Sequence, residues 1–322
     1  MQELKVSHSG EPAGHAFLEF RFAAQPLEVQ PQSVPAADAA APGSAPLWVP
    51  LEPLHGDREY WLVDEPVAQG PMGAFEARQS GDLLALSAWR SVTAAQIAGA
   101  SRQLYLQALQ AAAEAGFPHL ARVWQYLPDI NAGCGEAERY KQFCAGRAAA
   151  LGELQLDPGS LSAASALGCV AELPLQITFV ASRVPVQHLD NPRQTSAHRY
   201  PPRYGRAPPS FARASVLGRR LLISGTSAIV GHHSQHPGDV DKQLRCTMDN
   251  LLLLMDHACA ETDARRVENL HARVYLRHAR HLQQVRDAMN ADLPNLASAV
   301  YLRADICRSD LLVEVEATGA LR

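Results

Sequence analysis

The stretch RLLISGTSAIVGHHSQHPGDVDKQLRCTMDNLLLLMDHA, residues 220–258, predicts one β/α step of the fold. Its first part is apolar and ends in small residues and glycine, as in a strand that enters a turn. From Val240 to Met255, apolar residues recur every three or four positions, which is typical of an amphipathic helix. This stretch therefore predicts a strand, a turn and a long helix, in that order.

The rest of the chain repeats this order. After the helix, HARVYLR (271–277) predicts a strand and HLQQVRDAM (281–289) a helix, and AVYLRAD and DLLVEVEA predict two closing strands. The N-terminal half predicts a helix at 94–115, a strand at 120–127, a helix near 136–151 and a strand at 172–182. ARVWQY and ARVYLR occupy equivalent places in the two halves.

We therefore predict an α+β fold of the α/β type, built from two copies of one β/α unit, with the N-terminal copy degenerate. The predicted division places the N-terminal domain at 1–185 and the C-terminal domain at 186–322. Two unrelated α+β halves are the alternative. The Pro-, Ala- and Ser-rich stretch at 31–47 predicts a loop or linker.

Composition restricts the class of protein. The chain has 322 residues, of which 47% are hydrophobic, and a formal net charge of −4, which argues against a general polyanion binder. It contains no apolar run long enough to span a bilayer and no signal-peptide pattern at the N-terminus. The six cysteines form no CxxC pair, so we expect a reduced, cytoplasmic protein.

One span is strongly basic in spite of the negative net charge. Between Asp190 and Asp239 there is no acidic residue and no lysine, but there are seven arginines. Arginine binds carboxylate and phosphate groups through two parallel hydrogen bonds, so the span favours an anionic ligand. A solvated loop face, or pairing with acids elsewhere in the chain, is the alternative reading.

The SGTSAIVGHHSQHP stretch fits an anion pocket better than a phosphate loop or a metal site. It lacks the Gly-Lys-Ser/Thr of a Walker loop, and its three histidines stand in a Pro/Gly turn and not on one helical face. We therefore predict no metal site. The small residues from Gly225 to Ala228 would let a ligand approach the backbone, with Thr226 supplying a hydroxyl. A plain turn packed against the helix is the alternative.

Two glutamates share one face of the predicted last strand. In DLLVEVEA (310–317), residues alternate with period two, which places Glu314 and Glu316 on the same side. Burial and a neighbouring carboxylate both favour the protonated form, so this pair of glutamates is a candidate general acid. Cys307 would line the same cavity. An exposed edge paired with arginine is the alternative.

These motifs resemble the chorismatase family. The similarity rests on residues 224–251, on RYGRAPPSFARA before them, and on VYLR and ADICRSDLLVEVEA after them. Within the family, the chain resembles most the bifunctional branch that makes 3- and 4-hydroxybenzoate from chorismate for aryl-polyene pigments and ubiquinone. The resemblance is strongest over 198–318 and looser elsewhere, including GEAERYKQFCAGR (135–147). Members share their fold with smaller YjgF-like (RidA-like) imine deaminases, which are usually trimers.

The resemblance implies a YjgF-like catalytic domain at the C-terminus, a degenerate counterpart at the N-terminus, and release of pyruvate from chorismate without metal or cofactor. Glu314 matches the catalytic glutamate of the family, and Glu316 is the second choice for the acid. The resemblance also implies a set of substrate-binding residues, namely Tyr204, Arg213, Thr226, Ser227, Ala228, Arg277 and Cys307. We expect chorismate as the small-molecule partner, no nucleic-acid or membrane partner, and a monomer or homotrimer.

Two other functions compete with this interpretation. A YjgF-type imine or enamine deaminase would share the strand glutamate and an arginine, but those chains are about half this long. A non-catalytic module that binds an anionic metabolite or RNA would account for the basic span alone. The arginine-rich span and the additional N-terminal half favour a chorismatase.

Overall fold

A computed structural model describes residues 3–8, 14–24, 46–157 and 161–322. The predicted linker at 31–47 lies outside the described residues as far as position 45. In the N-terminal segment, a four-stranded sheet has the order β1-β5-β2-β3. The strands of this segment are β1 (Lys5–Ser7), β2 (His15–Phe22), β3 (Leu47–Val49), β4 (Glu52–His55) and β5 (Arg58–Val63).

The N-terminal β/α unit follows this segment. Its elements are β6 (Ala68–Met72), β7 (Phe75–Ser80), β8 (Leu83–Arg90), α1 (Ile97–Glu114), β9 (His119–Pro128), α2 (Arg139–Glu153), β10 (Ala163–Cys169) and β11 (Leu175–Ser182). The predicted apolar face of α1, which includes Ile97, Leu104 and Ala108, is buried. The helix ends before Gly116, which takes a positive φ of 83°.

The C-terminal β/α unit has the same elements, with short strands added. They are β12 (Gln187–Leu189), β13 (Ala214–Leu217), β14 (Arg220–Ser227), β15 (Ile229–Val230), β16 (His233–Ser234), α3 (Val240–Thr262), β17 (Val267–Leu276), α4 (Leu282–Asp292), β18 (Leu296–Arg303), β19 (Asp305–Ile306) and β20 (Val313–Leu321). Asp239 caps α3 by accepting a hydrogen bond from the backbone N–H of Lys242.

The two units have one topology. The N-terminal sheet contains the order β10-β9-β11-β8-β7, and the C-terminal sheet contains the corresponding order β18-β17-β20-β14-β13. In each sheet the two strands separated by a helix, β9 and β10 or β17 and β18, are parallel, and the closing strand lies antiparallel between its neighbours. The predicted fold class, with two copies of one β/α unit, is confirmed. Sequence has diverged between the copies, because β11 has no acidic residue whereas β20 carries two glutamates.

Both faces of each large sheet are buried. One face packs against the helices of its own unit, α1 and α2 or α3 and α4. The other face joins a central core that all three sheets share, with Trp61 from the N-terminal segment, Trp124 from the N-terminal unit and Tyr275 from the C-terminal unit. Strands β11 and β20 are therefore buried along their whole length.

Each large sheet also has an edge strand that comes from another part of the chain. Strand β4, from the N-terminal segment, pairs with β18 of the C-terminal unit, and β19 pairs with β10 of the N-terminal unit. The division of the chain at residue 185 stays a prediction. None of the helices in the described ranges is both long and apolar enough to cross a lipid bilayer.

Candidate active site

A cavity of about 550 Å³ lies where the two units meet. The N-terminal unit contributes the first turn of α2, with Tyr140 and Lys141. The C-terminal unit contributes the segment 200–213, the end of β14, the residues after β19 and the start of β20. Of the residues predicted from sequence, Glu314, Ser227, Tyr204, Arg213 and Cys307 all line this cavity.

Glu314 forms a buried acidic group in the cavity wall. Its side chain stands between two neighbouring strands, since Ser227 of β14 and Tyr275 of β17 are its cross-strand partners. The Ser227 hydroxyl donates a hydrogen bond to Oε2 of Glu314 over 3.2 Å. Glu314 is only 4% exposed, so water stabilises its charge poorly.

The protonated form of Glu314 is favoured by its surroundings. Burial, followed by the negative charge of Glu316, raises the pKa of the Glu314 carboxyl to about 8. The hydrogen bond from Ser227 and the charges of Arg122 and Arg213 act in the opposite direction but do not outweigh burial. Near neutral pH this carboxyl can therefore donate a proton to a bound molecule.

Three arginines give the cavity wall a positive charge. Arg213 is buried and donates to the Tyr200 hydroxyl over 2.8 Å, and its Nε has no hydrogen-bond partner among the described residues. Arg308 lies 4.1 Å from the centre of the Tyr204 ring, and Arg203 lies 4.9 Å from the same centre. Arginines held against aromatic rings keep their charge and are pre-organised for anions.

Cys307 is a neutral thiol in the same wall. Burial, and then the neighbouring Glu314, raise the pKa of the Cys307 thiol to about 12. Tyr140, on the opposite side of the unit boundary, is also buried, and burial raises the pKa of its hydroxyl. Neither group is an anion at neutral pH, so both can act there only as neutral side chains.

Three predicted binding residues lie outside the cavity lining. Thr226 points its hydroxyl to the backbone carbonyl of Ser224, 2.9 Å away, and Ala228 is packed in a small apolar cluster with Ile306 and Leu311. The position of Thr226 results from a bulge in β14 between Ile223 and Thr226. The bulge pairs Thr226 with Val315 and leaves Ser227 opposite Glu314.

Arg277 supports the cavity from behind. Its guanidinium donates to the backbone carbonyls of Leu311, Ile306 and Arg308 over 2.8–3.1 Å, and it pairs with Asp305. It therefore fixes the segment that carries Cys307 and Arg308. Direct contact of Thr226, Ala228 or Arg277 with a ligand stays a prediction.

Glu316 has different surroundings from Glu314. It is buried, but Arg122 and the indole N–H of Trp124 each donate to it over 2.7 Å. It does not line the cavity, and both of its oxygens are already occupied by these donors. This geometry speaks against the second-choice assignment of Glu316 as the acid.

The histidines of the 224–239 stretch interact with one another. His232 and His233 have ring centres 4.1 Å apart, and Arg203 donates to Nδ1 of His232 over 2.8 Å. Within the described ranges, no group of three or more His, Cys, Asp or Glu is arranged to hold a metal ion.

Sequence reasoning missed the contribution of the N-terminal unit. Tyr140 and Lys141 fall in the GEAERYKQFCAGR stretch, which carries part of the family resemblance, but nothing in its periodicity directs them to a site. Arg308 follows Cys307 directly and was not singled out. The one sequence signal for Arg308 was that it is a positive residue next to Cys307, a predicted cavity residue.

Comparison with known proteins gives a consistent result. Residues 59–181 match the family model for the N-terminal part of FkbO/Hyg5-like chorismatases. A chorismatase from Streptomyces hygroscopicus is 35% identical over 277 residues, covering 80% of this chain and 78% of its own. A 3-hydroxybenzoate synthase from the same species is 30% identical and covers 80% of both chains.

The fold leads to the same family. A crystal structure of a chorismatase superimposes with a TM-score of 0.84 and 29% identity, covering 99% of this chain and 98% of its own. The fold and the cavity define a two-unit α+β protein with a buried acid. The chain belongs to the chorismatase family.

Proposed function

We propose that this protein converts chorismate to pyruvate and a hydroxybenzoate, with Glu314 as the general acid. The observation that carries the proposal is the position of Glu314, a buried carboxyl that favours its proton, in a cavity whose wall holds Arg203, Arg213 and Arg308. Its relatives named chorismatase support the choice of substrate.

The charge of the cavity suits this substrate. Chorismate is a dianion with one carboxylate on the ring and one on the enolpyruvyl group. Arginine is the side chain best suited to hold carboxylates, and Lys141 adds a further cation to the wall. Holding both ends fixes the enol ether relative to Glu314, which is the main contribution that orientation can make.

The reaction proceeds by proton transfer to carbon. Glu314 donates its proton to the methylene carbon of the enol ether, which produces an oxocarbenium ion next to the newly formed carboxylate. The bond between the ether oxygen and the ring carbon then breaks, pyruvate leaves, and loss of the proton on the carbon that bears the hydroxyl gives 4-hydroxybenzoate. For 3-hydroxybenzoate, the hydroxyl oxygen has to bond to the ring carbon that the ether oxygen leaves and to release its original carbon before the ring proton is lost. The conjugate base of Glu314 assists that last proton transfer. The two products contain all the atoms of chorismate, so no oxidant or reductant is consumed.

The identity of the hydroxybenzoate follows less directly. The similarity to a 3-hydroxybenzoate synthase supports 3-hydroxybenzoate as a product, and we include 4-hydroxybenzoate in the proposal. These compounds would supply precursors for aryl-polyene pigments and ubiquinone. Cys307 lies close enough to influence the product, and an unchanged product ratio in Cys307→Ala would limit it to a packing role.

One assay tests the proposal. The protein is incubated with chorismate, pyruvate is measured enzymatically, and hydroxybenzoates are separated by chromatography. Glu314→Gln should lower the rate by about 10²–10⁴-fold while chorismate binding is kept. Glu172→Gln, which changes an exposed glutamate outside the cavity, is the matched control. Full activity in Glu314→Gln would refute the assignment, and ammonia released from an enamine in place of pyruvate would indicate a deaminase.

A further inference from the structure

Glu316 is held as an anion by groups from both units. Arg122 and Trp124, on β9 of the N-terminal unit, donate to its two oxygens over 2.7 Å each. Arg273, on β17, lies 3.5 Å from Oε1. All three partners are nine-tenths buried or more, so the negative charge of Glu316 is fixed and poorly screened by solvent.

A second carboxylate balances the second arginine. Glu59, on β5 of the four-stranded sheet, accepts two hydrogen bonds from Arg273 over 2.9 and 2.6 Å. Burial opposes the ionisation of Glu59, but the charge of Arg273 and the hydrogen bond from His8 hold its pKa well below its ordinary value. Two carboxylates and two guanidinium groups therefore form a buried cluster, in which Arg273 is bound closely by Glu59 and more distantly by Glu316.

This buried cluster reaches Glu314 through a short connection. Arg122 also donates to the Ser165 hydroxyl over 2.7 Å, and Ser165 accepts the backbone N–H of Gly225 over 2.9 Å. Gly225 in turn lies against the Glu314 carboxyl. Glu314 and Glu316 leave the same strand roughly 7 Å apart. Ionised Glu314 would place a second negative charge beside that of Glu316, with water largely excluded from both.

We infer that Glu316 is a positioning residue for the reaction: it is a fixed anion, held by Arg122 and Trp124 of the N-terminal unit, that keeps Glu314 in its acid form. This inference rests on the proposed function, because it explains how the general acid Glu314 stays protonated. It also gives the N-terminal unit a part in the chemistry although that unit has no acid of its own in β11.

Other groups around Glu314 contribute less to this effect. Arg213, just before β13, and Arg122 from β9 favour its ionised form, and the charge of Glu316 ranks above either. Burial keeps three other neighbours neutral by raising the pKa of each: Tyr140 from α2, Tyr275 from β17 and Cys307 from the segment after β19. The other charged residues of the cavity wall are Glu138, Lys141, Arg203, Arg308 and Asp310. Glu316 differs from them because it is buried and paired with Arg122 and Arg273.

The test is a direct titration of Glu314. Infrared difference spectra give the carbonyl band of a protonated carboxyl, and the band absent from Glu314→Gln is assigned to Glu314. In Glu316→Gln, which keeps one of the two acceptor oxygens and removes the charge, the midpoint should fall by about one pH unit or more. The alkaline limb of kcat/KM for chorismate should move by the same amount.

A conservative variant separates charge from structure. Glu316→Asp keeps the anion and should keep a midpoint close to that of the unmodified protein, whereas a purely structural role would affect both variants alike. If Glu316→Gln does not fold because it leaves a buried arginine unpaired, the double variant Arg122→Met with Glu316→Gln removes both partners. Its midpoint should also fall, since Glu316 has the larger influence.

The two proposals fail in different ways. An unmodified protein that releases no pyruvate from chorismate contradicts the proposed function, and the infrared midpoint still measures the effect of Glu316. Normal turnover combined with an unmoved midpoint in Glu316→Gln, or in the double variant, contradicts only the inference about Glu316. Arg147→Met, which removes another buried arginine of the N-terminal unit, should lower stability without moving the midpoint.

Discussion

Gly225 and Glu314 are in such close contact that a Cβ atom at position 225 would lie 2.0 Å from Oε1 of Glu314. Real atoms of this kind do not approach closer than about 3 Å, so any larger side chain at position 225 would force the Glu314 carboxyl to move. The backbone N–H of Gly225 is fixed by Ser165 at 2.9 Å, which limits how far the strand can move away. The glycine therefore determines the position of the carboxyl.

Gly225→Ala should displace the Glu314 side chain. A shift of about 1 Å in a catalytic group can reduce the rate by about 10²-fold, and we expect at least that loss in kcat, with a smaller change in KM. Steady-state kinetics with chorismate measures both. Gly99→Ala is the matched control, since nothing lies within 4 Å of a Cβ at that helical position and its activity should be unchanged. Normal kcat in Gly225→Ala would contradict the assigned contact.

The activity should depend on pH through the acid form of Glu314. Because the pKa of this carboxyl is raised to about 8, the proton is present below that value and is lost above it. We expect kcat/KM for chorismate to be level near pH 7 and to fall about tenfold per pH unit well above 8. Circular dichroism at each pH shows whether the protein stays folded. A rate that is still level at pH 9 in a folded protein would argue against Glu314 as the donor.

Glu314→Gln should stabilise the protein at neutral pH. The pKa of Glu314 is about 8 in the folded chain against an ordinary 4.5, so the native state binds an additional proton between these values and stability falls as pH rises through them. At pH 7 this costs on the order of 3 kcal/mol, which glutamine avoids. The gain in melting temperature should be larger at pH 8 than at pH 5. An equal gain at both pH values would mean that burial does not hold the proton.

Arg277→Met should loosen the wall that carries Cys307 and Arg308. The variant loses three hydrogen bonds to backbone carbonyls, so amide exchange over residues 306–311 should become faster, and KM should rise more than kcat falls. Exchange measured by mass spectrometry, together with kinetics, tests this. Arg280→Met, at an exposed neighbouring position, is the control. A higher KM with unchanged exchange would instead indicate that Arg277 contacts the substrate.

The sequence predicted the units well but not how they join. Helices such as α3 and long strands such as β17 have clear periodicities, and their order repeats, so fold class could be predicted from local patterns. The pairing of the four-stranded sheet and the edge strands β4 and β19 could not. The strands β1, β3, β4 and β19 have two to four residues, which is too few side chains for a period. The pairing of strands of any length also depends on segments distant in sequence.

The candidate site was predicted in part for a similar reason. The alternation in 310–317 placed Glu314 and Glu316 on one face, and the acid-free span indicated an anionic ligand. The resemblance to chorismatases then singled out Glu314 and Arg213. The face that Thr226 occupies depends on a bulge in β14, which the sequence does not indicate. The pairing of Arg122 with Glu316 joins residues 194 positions apart, and neither residue carries a local signal of the other. Contacts between units are beyond what one sequence can predict.

The pairing of β19 with β10 has a consequence for biosynthesis. During synthesis on the ribosome, β10 stays an unpaired edge of the N-terminal unit's sheet until residues 305–306 have been made. Unpaired edges are sites of mispairing. The last glutamates follow within about a dozen residues. A translation product that ends before residue 305 thus lacks both the edge strand of this sheet and Glu314, the proposed proton donor.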